Sequence, residues 1–379
     1  MVDVLIFGDV SLNLVTVILL GAGITALIVV LVLVREFLKF APFAYPNARI
    51  MARRGKMLDK KQIVEIIDAK SMVDVYNLVG ELPEYKKYID KYPFEKSMDM
   101  HLAEIHELLF KIFPDKFKDF FEVFVSKWDV RNIKTIIVAR ETGTETIKDI
   151  IIPFGKLKKK TLNRLMDAKN IDDIVDTLKD TEYNDTLIGA VHLYKEKGIL
   201  LPVEASLDKY YYRKLLDTVS EPSNDDEKIL YSLVTKQIDI INLKIILRAK
   251  FEGIEFKDIE DYIISGAYQL SKWKLKELMD AEKITDFVSK LEGTDYYDVL
   301  SDAIPEKTVS VSALESALDK YALELGTLLS KESPSTIGPS VDFLSRKEIE
   351  TKNLKIIYRA KNEGFSPEII RNMLVGGWT

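Results

Sequence analysis

Gly55-Lys56 and Gly155-Lys156 are the places where this sequence comes nearest to a phosphate-binding turn. A backbone cradle for phosphates needs an earlier Gly and, after the Lys, a Ser or Thr hydroxyl. Gly55-Lys56 follows Arg53 and Arg54 and has neither, and Gly155-Lys156 fails in the same way. The only histidines are His101, His106 and His192. His101 and His106 are five apart, whereas two metal ligands on one helical face stand four apart. With no cysteine there is no disulfide, thiolate ligand or cysteine nucleophile. Carboxylates are plentiful but alternate with lysines in helical stretches, the pattern of a solvated face carrying i,i+4 pairs. The sequence therefore offers no catalytic residue, no metal ligand, no cofactor-binding residue and no site for a small-molecule substrate.

Other polar groups read as structural. Lys156-Leu157-Lys158-Lys159-Lys160 is basic and suits a solvated helix start, with lipid phosphate or an acidic partner as the alternative. Asn132, Asn242 and Asn353 recur at nearly equal spacing, which suggests an amide bonded to neighbouring backbone at a packing seam. Tyr210, Tyr211, Tyr212 and Tyr321 fit a core or an interface.

The elements that must hold these residues are helices. The 379 residues include 30% charged residues but only 17 Gly and 12 Pro, the balance of a helical chain. The net charge of −6 excludes the basic excess of a nucleic-acid binder. One hairpin is written three times, around Asn132, Asn242 and Asn353, which lie 110 and 111 positions apart. Each copy has an acid three before the Asn, a Lys two after, an Ala seven after and a Gly eleven after. The aliphatic spacing makes one apolar helical face, the Ala admits a second helix, and the Gly supplies a left-handed cap. Ser366-Pro367-Glu368 then restarts a helix with Ile369, Ile370, Met373 and Leu374 as its apolar face.

Further stretches repeat with the hairpin. Ile66-Ile67-Asp68-Ala69 leading to Tyr85 matches Leu165-Met166-Asp167-Ala168 leading to Tyr183, and Leu278-Met279-Asp280-Ala281 leading to Tyr296. Leu207-Asp208-Lys209-Tyr210 matches Leu318-Asp319-Lys320-Tyr321, with Met98-Asp99-Met100-His101 in the equivalent place. The expected fold is all-α: three pseudo-repeated helical lobes (about 48–157, 158–267 and 268–379) closing into a funnel-like body over 48–379. Loops are expected at Thr218–Glu227 and Lys331–Val341, both rich in Ser, Pro, Asn or acid.

Ahead of the body, Val10 to Val34 is free of charge and dominated by Leu, Val and Ile. A helix needs roughly 20 apolar residues, at about 1.5 Å each, to cross a hydrocarbon core. A signal peptide would carry positive charge first and a shorter apolar run. Here the positive charges follow, from Arg35 to Lys60. The expectation is a tail at 1–9, a transmembrane helix at 10–34 with the N-terminus outside and the body cytoplasmic, and a basic linker at 35–47 broken by Pro42 and Pro46.

Tyr45-Pro46-Asn47-Ala48-Arg49-Ile50-Met51-Ala52-Arg53, the three Asn hairpins and the Asp-Ala segments together resemble a known family. It is the C subunit of archaeal A-type and bacterial V-type ATP synthases, similar also to the d subunit of eukaryotic vacuolar ATPases. The resemblance implies an all-α, pseudo-threefold funnel without catalysis of its own. It implies a cell-membrane complex with central-stalk subunits docked in the mouth, proteolipid ring subunits and membrane lipid beneath, and torque carried between them. It also implies a chain beginning near Tyr45, so the apolar segment is a departure. The alternative is a membrane-anchored helical scaffold unrelated to rotary ATPases.

Overall fold

The computed structural model describes residues 5–7, 10–12, 14–144, 147–304, 310–330 and 336–376. Its regular structure is helical throughout, with one exception. The exception is a small antiparallel hairpin of β1 (Leu5–Phe7) and β2 (Val10–Leu12), with Ile6 opposite Ser11. The start of the expected membrane span is therefore extended, and helix begins only at Leu14.

The first helix corrects two expectations. Helix α1 (Leu14–Arg54) runs for 41 residues without a break, through both Pro42 and Pro46. Its length is about 60 Å at 1.5 Å per residue. The expected linker at 35–47 is helix. A proline inside a helix costs about 3 kcal/mol, and tertiary packing offsets it here. Phe43 and Ile50 are each 1% exposed, and Phe43 packs on Phe117 with ring centroids 5.9 Å apart. Asn47 donates to the Thr336 carbonyl at 3.2 Å. Arg53 pairs with Glu84 at 3.2 Å and Arg54 with Asp342 at 3.1 Å.

The body is built from helical hairpins. The first joins α2 (Phe94–Ile112) to α3 (Lys118–Val125) and α4 (Lys127–Glu141), which are separated only at Ser126. The second joins α5 (Leu201–Asp217) to α6 (Asp225–Phe251), and the third α7 (Val311–Ser330) to α8 (Gly338–Asn362). The loop expected at Thr218–Glu227 ends early. Asn224 caps α6 through its side chain, and Asp225, Asp226 and Glu227 complement the positive end of the helix dipole. Of Lys331–Val341, residues 331–335 lie outside the described residues and helix resumes at Gly338.

All three hairpin helices end alike. Gly143, Gly253 and Gly364 adopt φ of +69°, +69° and +76°. The residue after each Gly donates back to the repeated alanine: Thr144 to Ala139, Ile254 to Ala249 and Phe365 to Ala360, at 2.8–2.9 Å. This bond satisfies a carbonyl that the helix end leaves open. Helix α9 (Pro367–Met373) then starts from the Ser366 cap as expected. Its apolar face is narrower than expected: Ile370 and Leu374 are buried, whereas Ile369 and Met373 point outward.

The repeated Asn residues do the same work three times. Asn132 donates to the Ile152 carbonyl at 2.7 Å and accepts from its N–H at 3.1 Å. Asn242 treats Ile264 in this way, both bonds at 2.9 Å. Asn353 binds Val375 at 2.8 and 3.0 Å. Each amide is buried and pairs with one backbone residue on both its donor and acceptor sides. It thus pins the segment after each hairpin to the helix, as the spacing suggested.

Two substitutions test these devices by urea unfolding. Asn242→Ala leaves a buried N–H and carbonyl without partners and is expected to cost on the order of 3 kcal/mol. Gly253→Val forces a β-branched residue to positive φ and is expected to cost more than about 1–2 kcal/mol. Unchanged midpoints would refute the assigned roles.

Candidate functional site

The acid and the lysine of each hairpin both reach the following copy. Asp129 accepts from the Tyr183 hydroxyl at 3.3 Å, and from the Lys156 and Leu157 N–H groups at 2.5 and 3.1 Å. Asp239 accepts from the Tyr296 hydroxyl at 2.7 Å, and from the Gln269 and Leu270 N–H groups at 2.8 and 3.1 Å. Glu350 accepts from the Tyr85 hydroxyl and from the Leu58 N–H at 2.9 Å. Lys134 pairs with Asp208 at 2.8 Å, Lys244 with Asp319 at 2.9 Å and Lys355 with Asp99 at 2.7 Å. In both series the third hairpin returns to residues of the first stretch, so the order of contacts is cyclic.

Gly155 owes its place to this arrangement. Its φ is +129°, and a Cβ there would strike the Asp129 carboxylate. The turn that superficially resembled a phosphate loop aims two N–H groups at Asp129. Burial raises Asp129 to about 6 against the lowering effect of those bonds. Asp239 is raised for the same reason.

Where Glu350 meets Tyr85 the seam has an additional cation. Lys347 and Glu350 are each 1% exposed and pair at 2.5 Å. Breaking such a buried pair from one side costs about 3–5 kcal/mol.

Helices α3 to α8 line an open cavity of about 750 Å³. Phe120, Phe121, Phe124, Leu230, Leu233 and Leu344 give it apolar walls. Tyr211 and Tyr212 line it, with Tyr211 buried in the wall. Tyr210 packs edge-on against Tyr183, and Tyr321 against Tyr296, so both serve the seams.

Lys127, Gln237 and Glu348 also line the cavity, each five residues before its Asn. Lys127 and Glu348 meet at 2.5 Å, drawing α4 and α8 together. Burial alone would raise Glu348, but Lys127 and His106 hold it at about 2. His106 lies behind this pair. Its Nδ1 accepts from Trp128 Nε1 at 2.8 Å, and its Nε2 faces Glu348 at 3.6 Å, an electrostatic contact beyond hydrogen-bond length. Burial and Lys127 lower His106 to about 4. His101 is buried against the Tyr85 ring, with centroids 4.6 Å apart, and His192 is exposed. Lys158, Lys159 and Lys160 are exposed where a helix begins at Lys159, the solvated start expected.

At one pole the turns between paired helices converge. Asp226, at the start of α6, pairs with Lys116 of the first turn at 3.1 Å and accepts from the Ile337 N–H of the third at 2.9 Å. Helix α1 joins them there, through Phe43 on Phe117 and Asn47 on Thr336. The seams left a sequence signal in their spacing. The convergence at Asp226 left none.

The family model for the ATP synthase (C/AC39) subunit matches residues 46–373. The chain belongs to that family. It is 42% identical over 363 residues to the C subunit of the A-type ATP synthase of Methanothermobacter thermautotrophicus, covering 94% of both chains. It is 35% identical to that of Methanocaldococcus jannaschii, covering 92% of this chain and 90% of the relative. It is 30% identical to that of Pyrococcus abyssi, covering 89% and 91%. The Methanothermobacter alignment covers more than the stretch from Tyr45 onward supplies. That relative therefore shares sequence ahead of Tyr45, where the resemblance implied a family start.

For this member of the C/AC39 family the buried His106 predicts a pH dependence. Its folded value, about 4, lies below its ordinary 6.5. Between those limits the unfolded chain binds a proton that the folded chain does not. Stability present above about pH 6.5 is therefore lost as pH falls towards about 4, by up to about 3 kcal/mol. Asp129, raised from 3.8 to about 6, acts in the opposite sense: its burial disfavours the fold above about pH 6 and is relieved on acidification. The His106 contribution is the difference in pH profile between wild type and His106→Gln, read by chemical unfolding. Parallel profiles would refute it.

Proposed function

We propose that this chain is a non-catalytic rotor adaptor of an A-type or V-type ATP synthase, carrying torque between central stalk and proteolipid ring. Three lobes, at about 48–157, 158–267 and 268–379, close into a funnel around the cavity. The observation that carries this reading is the cyclic order of the seams, with Glu350 and Lys355 reaching back to Tyr85 and Asp99. A closed ring of packed helices is stiff, because close-packed interiors transmit strain instead of absorbing it. The cavity then receives the central stalk, and the opposite pole rests on the ring and its lipid.

Helix α1 completes the reading. Val15–Leu38 is long and apolar enough to cross a membrane, and none of it is buried by the body. It leaves from the pole where the three turns meet, which is where the pseudo-threefold axis emerges. An axial helix turns with the rotor without sweeping through lipid or stator. We assign it to the lipid-filled centre of the ring, with the N-terminus outside and the body on the cytoplasmic face. The basic residues that follow the apolar run support this orientation.

The chain has no cysteine, so a single engineered one is unique within it. In the detergent-purified complex, Leu19→Cys and Ile24→Cys are expected to cross-link to inward-facing residues of the proteolipid ring. Cross-links to peripheral stator subunits, or purification without ATP synthase partners, would refute the assignment.

A further inference from the structure

Lys352 precedes Asn353 on α8 and lines the cavity. The equivalent positions in the other hairpins are Arg131 and Ile241. Arg131 pairs with Asp99 at 2.5 Å and lies over the Trp128 ring, and Ile241 brings no charge. Among the described residues Lys352 has no such partner. The charges that bear on it most are Lys244, Lys320 and Lys355, with Asp319 opposing them. Asp319 is already bonded to Lys244 at 2.9 Å. The nearby Asp99 is shared between Lys355 and Arg131. Burial, followed by the three lysines, holds Lys352 below the ordinary lysine range. Of the cations that line the cavity, Lys127, Arg131 and Lys134 are each paired with a carboxylate, and among the described residues Lys352 is the one left without such a pair.

A partly buried ammonium surrounded by like charges is unfavourable until an anion meets it. The apolar walls indicate which kind. A free hydrated anion would surrender its water for a single half-covered cation and leave Phe124, Leu230 and Leu344 wet. A carboxylate carried on a protein segment neutralises the cation while its own apolar side chains cover those walls. We propose that Lys352 is the docking residue for an acidic side chain on the central-stalk segment that enters the cavity. This rests on the rotor-adaptor reading and adds the chemistry of the partner to it. Docking brings a counter-charge to a site the fold leaves uncompensated, so binding relieves an existing cost. The pseudo-threefold positions carry Arg, Ile and Lys, so one wall alone offers a free cation and selects one of three orientations for an asymmetric stalk.

The test titrates the full-length chain with the central-stalk subunits of the same ATP synthase, at low and high salt. Wild type, Lys352→Arg, Lys352→Gln and Lys352→Met are compared, each also melted alone. Lys352→Gln is expected to weaken binding by about tenfold or more and to flatten its salt dependence, while Lys352→Arg stays within about threefold of wild type. Isolated Lys352→Met is expected to melt no lower than wild type, because the uncompensated charge is gone. Wild-type binding with Lys352→Gln equally tight overturns the inference and leaves the adaptor reading intact. No binding by wild type overturns the adaptor reading itself. A Lys352→Met chain that melts lower and binds weakly makes the residue a structural one, against the proposal. Inorganic phosphate that stabilises wild type and not Lys352→Gln, with stalk binding unchanged between them, makes the occupant a free anion and also overturns it.

Discussion

A tyrosine hydroxyl donating into a buried carboxylate is the bond on which the packing of the body depends. It occurs at Asp129–Tyr183, Asp239–Tyr296 and Glu350–Tyr85. The first two join parts of the chain that follow one another, so covalent continuity supports them. The last has no such support, because its partners are separated by most of the body. Its chemistry is correspondingly heavier. A longer acid replaces Asp, and a buried Lys347 ammonium takes the place of one of the two backbone donors that each Asp has, the Leu58 N–H supplying the other. Helix α1 reinforces the same seam, with Arg53 on Glu84 on one side and Arg54 on Asp342 on the other. The contact between the last stretch and the first has no chain continuity behind it, and the buried Lys347–Glu350 ion pair is found there.

The buried amides explain why the inner helices stay in register. Each Asn ties one backbone residue some twenty positions downstream to its helix, in an environment where losing either bond is expensive. The glycine cap turns the chain back towards that point. Cap, amide and acid sit on one helix within fifteen residues, so a short sequence sets both the local turn and the contact with the next copy. One repeated stretch thus sets its own turn and its contact with a distant part of the chain.

Helix α1 is the place where local propensity and tertiary packing disagree. Two prolines read locally as a break, and the structure keeps them helical because Phe43, Asn47 and Ile50 are fastened to the body on both sides of Pro46. The apolar segment is consequently joined to the seam through continuous helix, without a flexible tether. Motion of either part reaches the other through helix backbone.

Periodicity and repetition made much of this protein legible in the sequence. The all-α class, the hairpins, the glycine caps and the structural role of Asn132, Asn242 and Asn353 follow from local chemistry that recurs at constant spacing. The acid and the lysine of each hairpin, and the tyrosines and aspartates they meet, were visible as repeated residues, but not which meets which. Tyr85 and Glu350 are 265 positions apart, and nothing local relates them. Tertiary structure alone decided the cyclic order of the seams, the continuity of α1, the meeting of three turns at Asp226 and the isolation of Lys352. Each depends on which distant groups share a small volume. A helix period reports the face a residue occupies and carries no information about what that face will meet.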